Sequence, residues 1–356
     1  MEIAIDHIAV SRLASVDLTN IPFGRVFTDH MFSMDYRDGK WHDATIEPVS
    51  ELSLHPANCT LHYGQSIFEG MKAFKNLEGT PILFRPKMHA RRLNASAERM
   101  CMPAVDEELF IDAVKQLVLL EEAWIPEGEG SALYIRPFMF ATDEFLGVAP
   151  SETFKFIILT LPVAPYYSQP VKLLASDKYI RAAIGGVGEA KTSGNYAASL
   201  YASKKAMEEG YDQILWLDGK EFKYAQEVGT MNIFFVIGDT VVTPKTDGAI
   251  LKGITRDSFL QLLKRDQIPC EERAISIDEV FAAYEKGELN AVFGSGTAAV
   301  AVDVSHIKYK DRVIKLPVED NNLAQQLKSQ LNGIRKGEIP DHFDWTHPVF
   351  AGVDVS

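Results

Sequence analysis

Three prolines in nine residues, Pro162, Pro165 and Pro170, divide this chain. Proline offers no backbone N–H to a sheet ladder and fixes its own φ, so the strand predicted over Phe154–Leu161 must end there. The segment reads as an interdomain linker. A chain of 356 residues exceeds what one hydrophobic core usually organises, so two domains are expected. They are a small N-terminal α/β domain over 1–163 and a larger domain over 171–356, joined by a linker over 164–170.

Both halves mix helix and strand periodicities. Asp106 starts a predicted helix whose apolar positions, Leu109, Phe110, Ala113, Val114, Leu117 and Val118, share one face. His89–Arg99 also has helical spacing, and Leu133–Pro137 reads as strand. Beyond the linker, Ala197–Glu209 reads as a helix closed by Gly210. Gln213–Leu217 reads as strand, Met231–Ile237 and Thr240–Thr243 as a hairpin across Gly238–Asp239, and Thr255–Arg265 as helix. Ser276 and Glu279 form a capping box before Val280–Lys286. A glycine-rich turn is expected at Gly294–Thr297, and the alternation in Ala299–Val304 predicts a strand. The fold class is α+β or mixed α/β, with largely antiparallel, hairpin-rich sheets.

Charge narrows the partners. The formal net charge of -13 repels phosphate backbones, which argues against nucleic acid but not against a small anion in a local basic pocket. No apolar run reaches the roughly 18 residues of a membrane span. The opening Met-Glu-Ile-Ala-Ile-Asp-His lacks the pattern of a secretory or organelle leader, so a cytoplasmic protein, or one already trimmed, is expected. Cys59, Cys101 and Cys270 form no CxxC pair, the histidines include no HExxH, and no metal site is expected.

Three glycine-rich segments could hold an anion. Gly185–Thr192 nearly fits the phosphate loop GxxxxGK[ST], with Ala190 where the second glycine belongs; this keeps a nucleotide-binding hydrolase open as an alternative. Gly294–Ala299 fits a loose GxGxx[GA] pattern, but a strand rather than a helix follows, so a dinucleotide fold is rejected while an anion-cradling turn survives. Leu251–Arg256 runs from a glycine turn straight into a helix start, whose exposed N–H groups favour an anion. Lys191 stands among Gly, Ala and Ser, which leave room for a planar cofactor, and Tyr196 follows five positions later. Glu227 opens a buried strand, where a carboxylate needs a partner; one candidate is a buried protonated nitrogen.

Together these segments resemble the branched-chain aminotransferases, pyridoxal-phosphate enzymes of fold type IV with the D-amino acid aminotransferase-like two-domain fold. The likeness runs from Phe23–Met31 through Leu61–Tyr63, Phe68–Phe74, Leu133–Pro137, Gly185–Tyr196, Glu227–Asn232 and Gly253–Arg256 to Phe293–Thr297. A D-amino acid aminotransferase of the same fold type is a further alternative, although the FGRVFTDHM stretch is similar to the longer, branched-chain subclass. The resemblance implies transamination between leucine, isoleucine or valine and 2-oxoglutarate. It makes Lys191 the Schiff-base lysine and proton shuttle, Glu227 the partner of the pyridine nitrogen, and Tyr196 the partner of the ring oxygen. Thr230 joins the cofactor set, and the phosphate falls to Arg92, Ile254, Thr255 and Thr297. Arg91 is equally basic and spacing does not separate the two; similarity to the family selects Arg92. For the substrate, the resemblance implies a carboxylate turn at Thr297, Ala298 and Ala299 with Tyr63, a pocket of Phe23, Phe68, Tyr134 and Tyr196, and Arg136 as counter-charge to glutamate. Val148 would enter a partner's pocket, which implies a homodimer. Mammalian members carry a CxxC where this chain has Ala299 and Val302, so thiol regulation of that kind is not expected.

Overall fold

The computed structural model describes residues 1–18, 21–128, 130–165 and 169–350. Tyr166, Tyr167 and Ser168, inside the expected linker, lie outside them. By contacts the chain forms two units: Met1–Tyr166 with Ala190–Ser193 and Asn332–Ser356, and Tyr167–Glu189 with Gly194–Leu331.

The first unit is built on a sheet in which Lys40–Pro48, His30–Arg37, Phe154–Val163, Ala132–Ala141, Met71–Lys75, Pro81–Phe84 and Thr346–Pro348 are successive neighbours, all antiparallel. Ala4–Ile5 adds a parallel edge, and Ser66–Phe68 pairs with Ala132–Ala141. Two helices supply the other layer. The helix Glu107–Leu120 starts where expected because Asp106 accepts hydrogen bonds from the N–H groups of Glu108 and Leu109. Phe110, Ala113, Val114, Leu117 and Val118 are buried along its inner face and join a core with Phe32, Phe156 and Leu93. The helix Pro86–Arg99 begins three residues before the predicted spacing, with Pro86 in its first turn.

In the second unit six strands close on themselves. Ala225–Val228, Gln213–Leu217, Val171–Ala175, Val300–Tyr309, Leu289–Gly296 and Met231–Ile237 pair in that order, and the last pairs back to the first. Thr240–Thr243 and Cys270–Glu272 extend the sheet, and Arg312–Lys315 pairs with Val300–Tyr309. The expected hairpin Met231–Ile237/Thr240–Thr243 is present. This sheet is less antiparallel than expected: Val171–Ala175 runs parallel to both its neighbours, and Thr240–Thr243 runs parallel to Cys270–Glu272. Gly294–Gly296 extends the strand from Leu289 instead of turning, because Gly294, Ser295 and Gly296 all pair with Val300–Val302.

The two units are not the contiguous halves expected from the proline break. Thr192 forms a β-bridge to Ile67, which ties the Lys191 segment to the first unit. Thr346–Pro348 adds a strand beside Pro81–Phe84, so the chain's last described part also belongs there. Among the described residues no helix is long and apolar enough to cross a membrane.

Candidate active site

In the first unit, Lys191 is held by its own peptide groups. Its N–H donates to the Ser96 hydroxyl at 2.9 Å, and its carbonyl accepts from the Phe68 N–H at 3.0 Å. Thr192 Oγ1 donates to the Ser66 carbonyl, and Ser66 and Ser193 share a hydroxyl contact of 2.9 Å. With its backbone clamped between a strand and a helix, the lysine side chain has a defined origin. Its Nζ lies 4.8 Å from the centre of the Phe68 ring. The Arg136 guanidinium lies 4.7 Å from the same centre and 5.3 Å from that of Tyr134, whose hydroxyl it donates to at 3.2 Å. Phe23 packs edge-on against Tyr134 at 5.3 Å. Gly70 makes the close packing possible, since a Cβ there would overlap the Tyr134 hydroxyl. Lys191, Phe68, Tyr134, Arg136 and Phe23 are thus gathered into one amine- and guanidinium-bearing aromatic cluster. Tyr63 is exposed at the end of the short helix Cys59–Tyr63, and Val148 is 93% exposed.

Arg91 and Arg92, inseparable by spacing, part company in the fold. Arg91 is solvent-facing and pairs with Glu107. Arg92 is largely buried and makes a two-pronged bond to Glu69: Nε to Oε1 at 2.7 Å and Nη2 to Oε2 at 2.9 Å. His89 Nδ1 also reaches Glu69 Oε2 at 2.8 Å, and the Gly70 N–H donates to the same oxygen. Glu69 is wholly buried. Burial would push its carboxyl up, but the Arg92 charge, the Arg92 and His89 hydrogen bonds and the His89 charge outweigh it and hold the carboxyl well below the usual range. Burial, with the nearby Arg92 and Lys191 charges, lowers His89 despite its hydrogen bond and attraction to Glu69. Sequence reasoning passed over Glu69 and His89. The signal was the i, i+3, i+7 spacing of His89, Arg92 and Ser96 on one helix face.

In the second unit, Glu227 is 3% exposed in the strand Ala225–Val228. Its Oε1 accepts from the Leu251 N–H at 2.8 Å, and Oε2 lies 2.9 Å from Arg181 Nε. Asn232, opposite Glu227 in the hairpin, donates to the Leu251 carbonyl at 2.9 Å. These bonds bring the loop before Gly253 against the carboxylate. Gly253 then caps the helix Ile254–Arg265; a Cβ on it would overlap Asn232 Oδ1, so only glycine lets the helix start this close to the strand. Ile254 and Thr255 are buried in the first turn, at the end of the helix where the dipole favours an anion. Arg181, which also donates to the Gly188 and Ala249 carbonyls, was not singled out from sequence. Tyr196 is half-buried near the start of the helix Ser193–Glu208, and Thr230 is exposed at the hairpin turn. Thr297, Ala298 and Ala299 form the turn between the strands Leu289–Gly296 and Val300–Tyr309. Val300 closes it at φ +62°, a backbone region β-branched residues rarely adopt.

Each unit by itself carries groups whose chemistry fits pyridoxal phosphate: the first a lysine amine and a buried arginine, the second a buried carboxylate and a glycine-capped helix start. The segment Gly185–Thr192 does not suit a nucleotide phosphate loop. The Lys191 N–H, which such a loop would offer to phosphate, goes to Ser96, and the Gly186 N–H goes to the Ala183 carbonyl.

Comparisons agree with this reading. Residues 66–307 match the model of the amino-transferase class IV family. The chain is 47% identical over 340 residues to branched-chain-amino-acid aminotransferase 2 of Bacillus subtilis, covering 94% of each chain. Among solved structures, the branched-chain amino acid aminotransferase of Escherichia coli superposes with a TM-score of 0.76 at 25% identity, covering 90% of this chain and 99% of that one. The T.th. enzyme of the same name, complexed with N-(5'-phosphopyridoxyl)-L-glutamate, superposes with a TM-score of 0.72 at 25% identity, covering 89% and 98%. The alternatives, a nucleotide hydrolase or a D-amino acid aminotransferase, find no support. The chain belongs to the class IV aminotransferases, pyridoxal-phosphate-dependent transferases, and within them to the branched-chain-amino-acid aminotransferases.

Proposed function

We propose that this chain moves the amino group of leucine, isoleucine or valine to 2-oxoglutarate through Lys191. The observation that carries the reading is the clamped Lys191 peptide beside the Phe68–Arg136 cluster, in a chain whose buried Glu227 is fixed by backbone and arginine. When bound, pyridoxal phosphate supplies a ring that accepts the electron pair released at the substrate's α-carbon. Lys191 would hold the cofactor through its Nζ, and the same amine would take the proton from the substrate's α-carbon and give it back when the acceptor is aminated. Glu227 holds a proton on the ring nitrogen, Tyr196 donates to the ring oxygen, and Thr230 joins them. Arg92, the Ile254 and Thr255 N–H groups and the Thr297 hydroxyl bind phosphate.

The substrate carboxylate docks at Thr297, Ala298 and Ala299 with the Tyr63 hydroxyl. Phe23, Phe68, Tyr134 and Tyr196 surround the branched side chain. Arg136 answers the second carboxylate of glutamate; the T.th. complex with a glutamate adduct supports glutamate as the other partner. One methylene changes binding in an apolar pocket by only about 1–3 kcal/mol, so all three branched substrates should react. Exposed Val148 and Leu146, 93% and 67% accessible, support a homodimer in which Val148 completes the partner's pocket. A cytoplasmic site of action accords with the free thiols of Cys59, Cys101 and Cys270.

The test mixes purified protein with leucine and 2-oxoglutarate and measures glutamate. Turnover should fall at least about a thousandfold in Lys191→Ala. A wild-type protein that makes no glutamate from leucine, or a variant that keeps its rate, would sink the proposal.

A further inference from the structure

Arg92 arrives at its task already oriented. Two of its five N–H groups are committed to Glu69 in a side-on fork, which fixes both the plane and the direction of the guanidinium. Glu69 cannot swing away, because His89 and the Gly70 N–H hold the oxygen that Arg92 Nη2 uses. The three side chains are between fully and nearly fully buried, so their mutual attraction is little screened. Glu69 also directly follows Phe68, whose N–H anchors Lys191, and Arg92 shares its helix with Ser96, which anchors Lys191 from the other side.

Building such a cluster is not a cheap route to stability, since an apolar replacement of a buried ion pair is often neutral or better. Its use is geometric. We propose that Glu69, braced by His89, is a positioning residue that sets Arg92 to receive the phosphate of the cofactor before that phosphate arrives. The proposal rests on the cofactor role of Arg92 given above. A flexible arginine would lose side-chain freedom on binding; one held by Glu69 has lost it on folding.

The experiment compares two probes, pyridoxal 5′-phosphate and pyridoxal, which lacks the phosphate, by titrating each into protein freed of cofactor. Glu69→Gln keeps the shape but weakens the hold on Arg92. It should lower affinity for pyridoxal phosphate about 10- to 100-fold, the worth of a charge-assisted bond, and leave pyridoxal affinity within about twofold. In the Arg92→Lys background, which cannot form the fork, the same change should add less than about threefold. His89→Ala, which removes one brace and keeps the charge pair, should give a smaller loss confined to the phosphate probe; it carries the test if Glu69→Gln does not fold. Equal losses for both probes, no loss for either, or full additivity with Arg92→Lys would each overturn the proposal. If the wild-type protein bound neither probe, the cofactor reading itself would fall instead.

Discussion

The first unit contains two buried glutamate–histidine pairs, and they behave oppositely. Glu69 meets His89 and is held well below the usual carboxylate range; Glu121 meets His30 and is pushed up. Burial acts in the same direction on both. The difference is the company. Glu69 has the Arg92 guanidinium in a two-pronged bond, whereas Glu121 has the neighbouring Asp29 carboxylate, a like charge, and takes its other hydrogen bonds from the Asp29 and His30 backbone N–H groups. A histidine alone does not overcome desolvation of a carboxylate; a buried arginine does. Glu121, which ends the helix Glu107–Leu120, ties that helix to a strand start, a structural task, while Glu69 faces the helix that carries Arg92 and Ser96.

The contrast can be broken at its cause. Arg92→Met should turn Glu69 into a second Glu121, with an uncompensated buried carboxylate. The expected cost is about 3–5 kcal/mol of stability, read from urea unfolding; a loss below about 1 kcal/mol would mean that the arginine is not what separates the pairs. Glu121→Gln removes no comparable charge pair and should cost about 1–2 kcal/mol. Affinity for pyridoxal phosphate should stay unchanged in that variant, and a weakened affinity would erase the division of labour.

A subtler test uses acid. Glu69 has a folded pKa lowered from 4.5, so its stabilising contribution is present above that value and drains away as pH falls through it. Burial lowers His89 from 6.5, so it too loses its contribution on acidification, starting at that higher pH. Glu121 is raised from 4.5 and therefore has the opposite sign: it binds its proton more readily folded than unfolded, and its penalty shrinks as pH drops. Stability measured at successive pH values from 7 downward should fall less steeply in Glu69→Gln than in wild type, and more steeply in Glu121→Gln. Parallel curves would refute the assignment of sign.

Much of the fold was legible in local chemistry. The Asp106 cap, the apolar face of Glu107–Leu120, the Ser276–Glu279 cap and the Met231–Thr243 hairpin all follow from neighbours within a few positions, and all appear. Where local reading erred, a distant partner decided. Gly294–Gly296 looked like a turn, yet pairing with Val300–Val302 kept it in strand. The Lys191 segment, expected with the second half, joined the first because Ile67, Phe68 and Ser96 supply its hydrogen bonds. Arg181 gave no local signal; among the described residues it meets Gly188, Glu227 and Ala249, the last two far along the chain and adjacent only once folded.

Residue identity by itself determined which groups could act: an amine at 191, a carboxylate at 227, a guanidinium at 91 or 92, glycine before a helix at 253. Folding decided how each is placed, by burying Arg92 and leaving Arg91 exposed and by giving Glu69 an arginine and Glu121 none. The reason is that a side chain's type sets its possible charge and bonds, whereas its protonation and direction depend on burial and on partners that only the folded chain brings within about 3 Å.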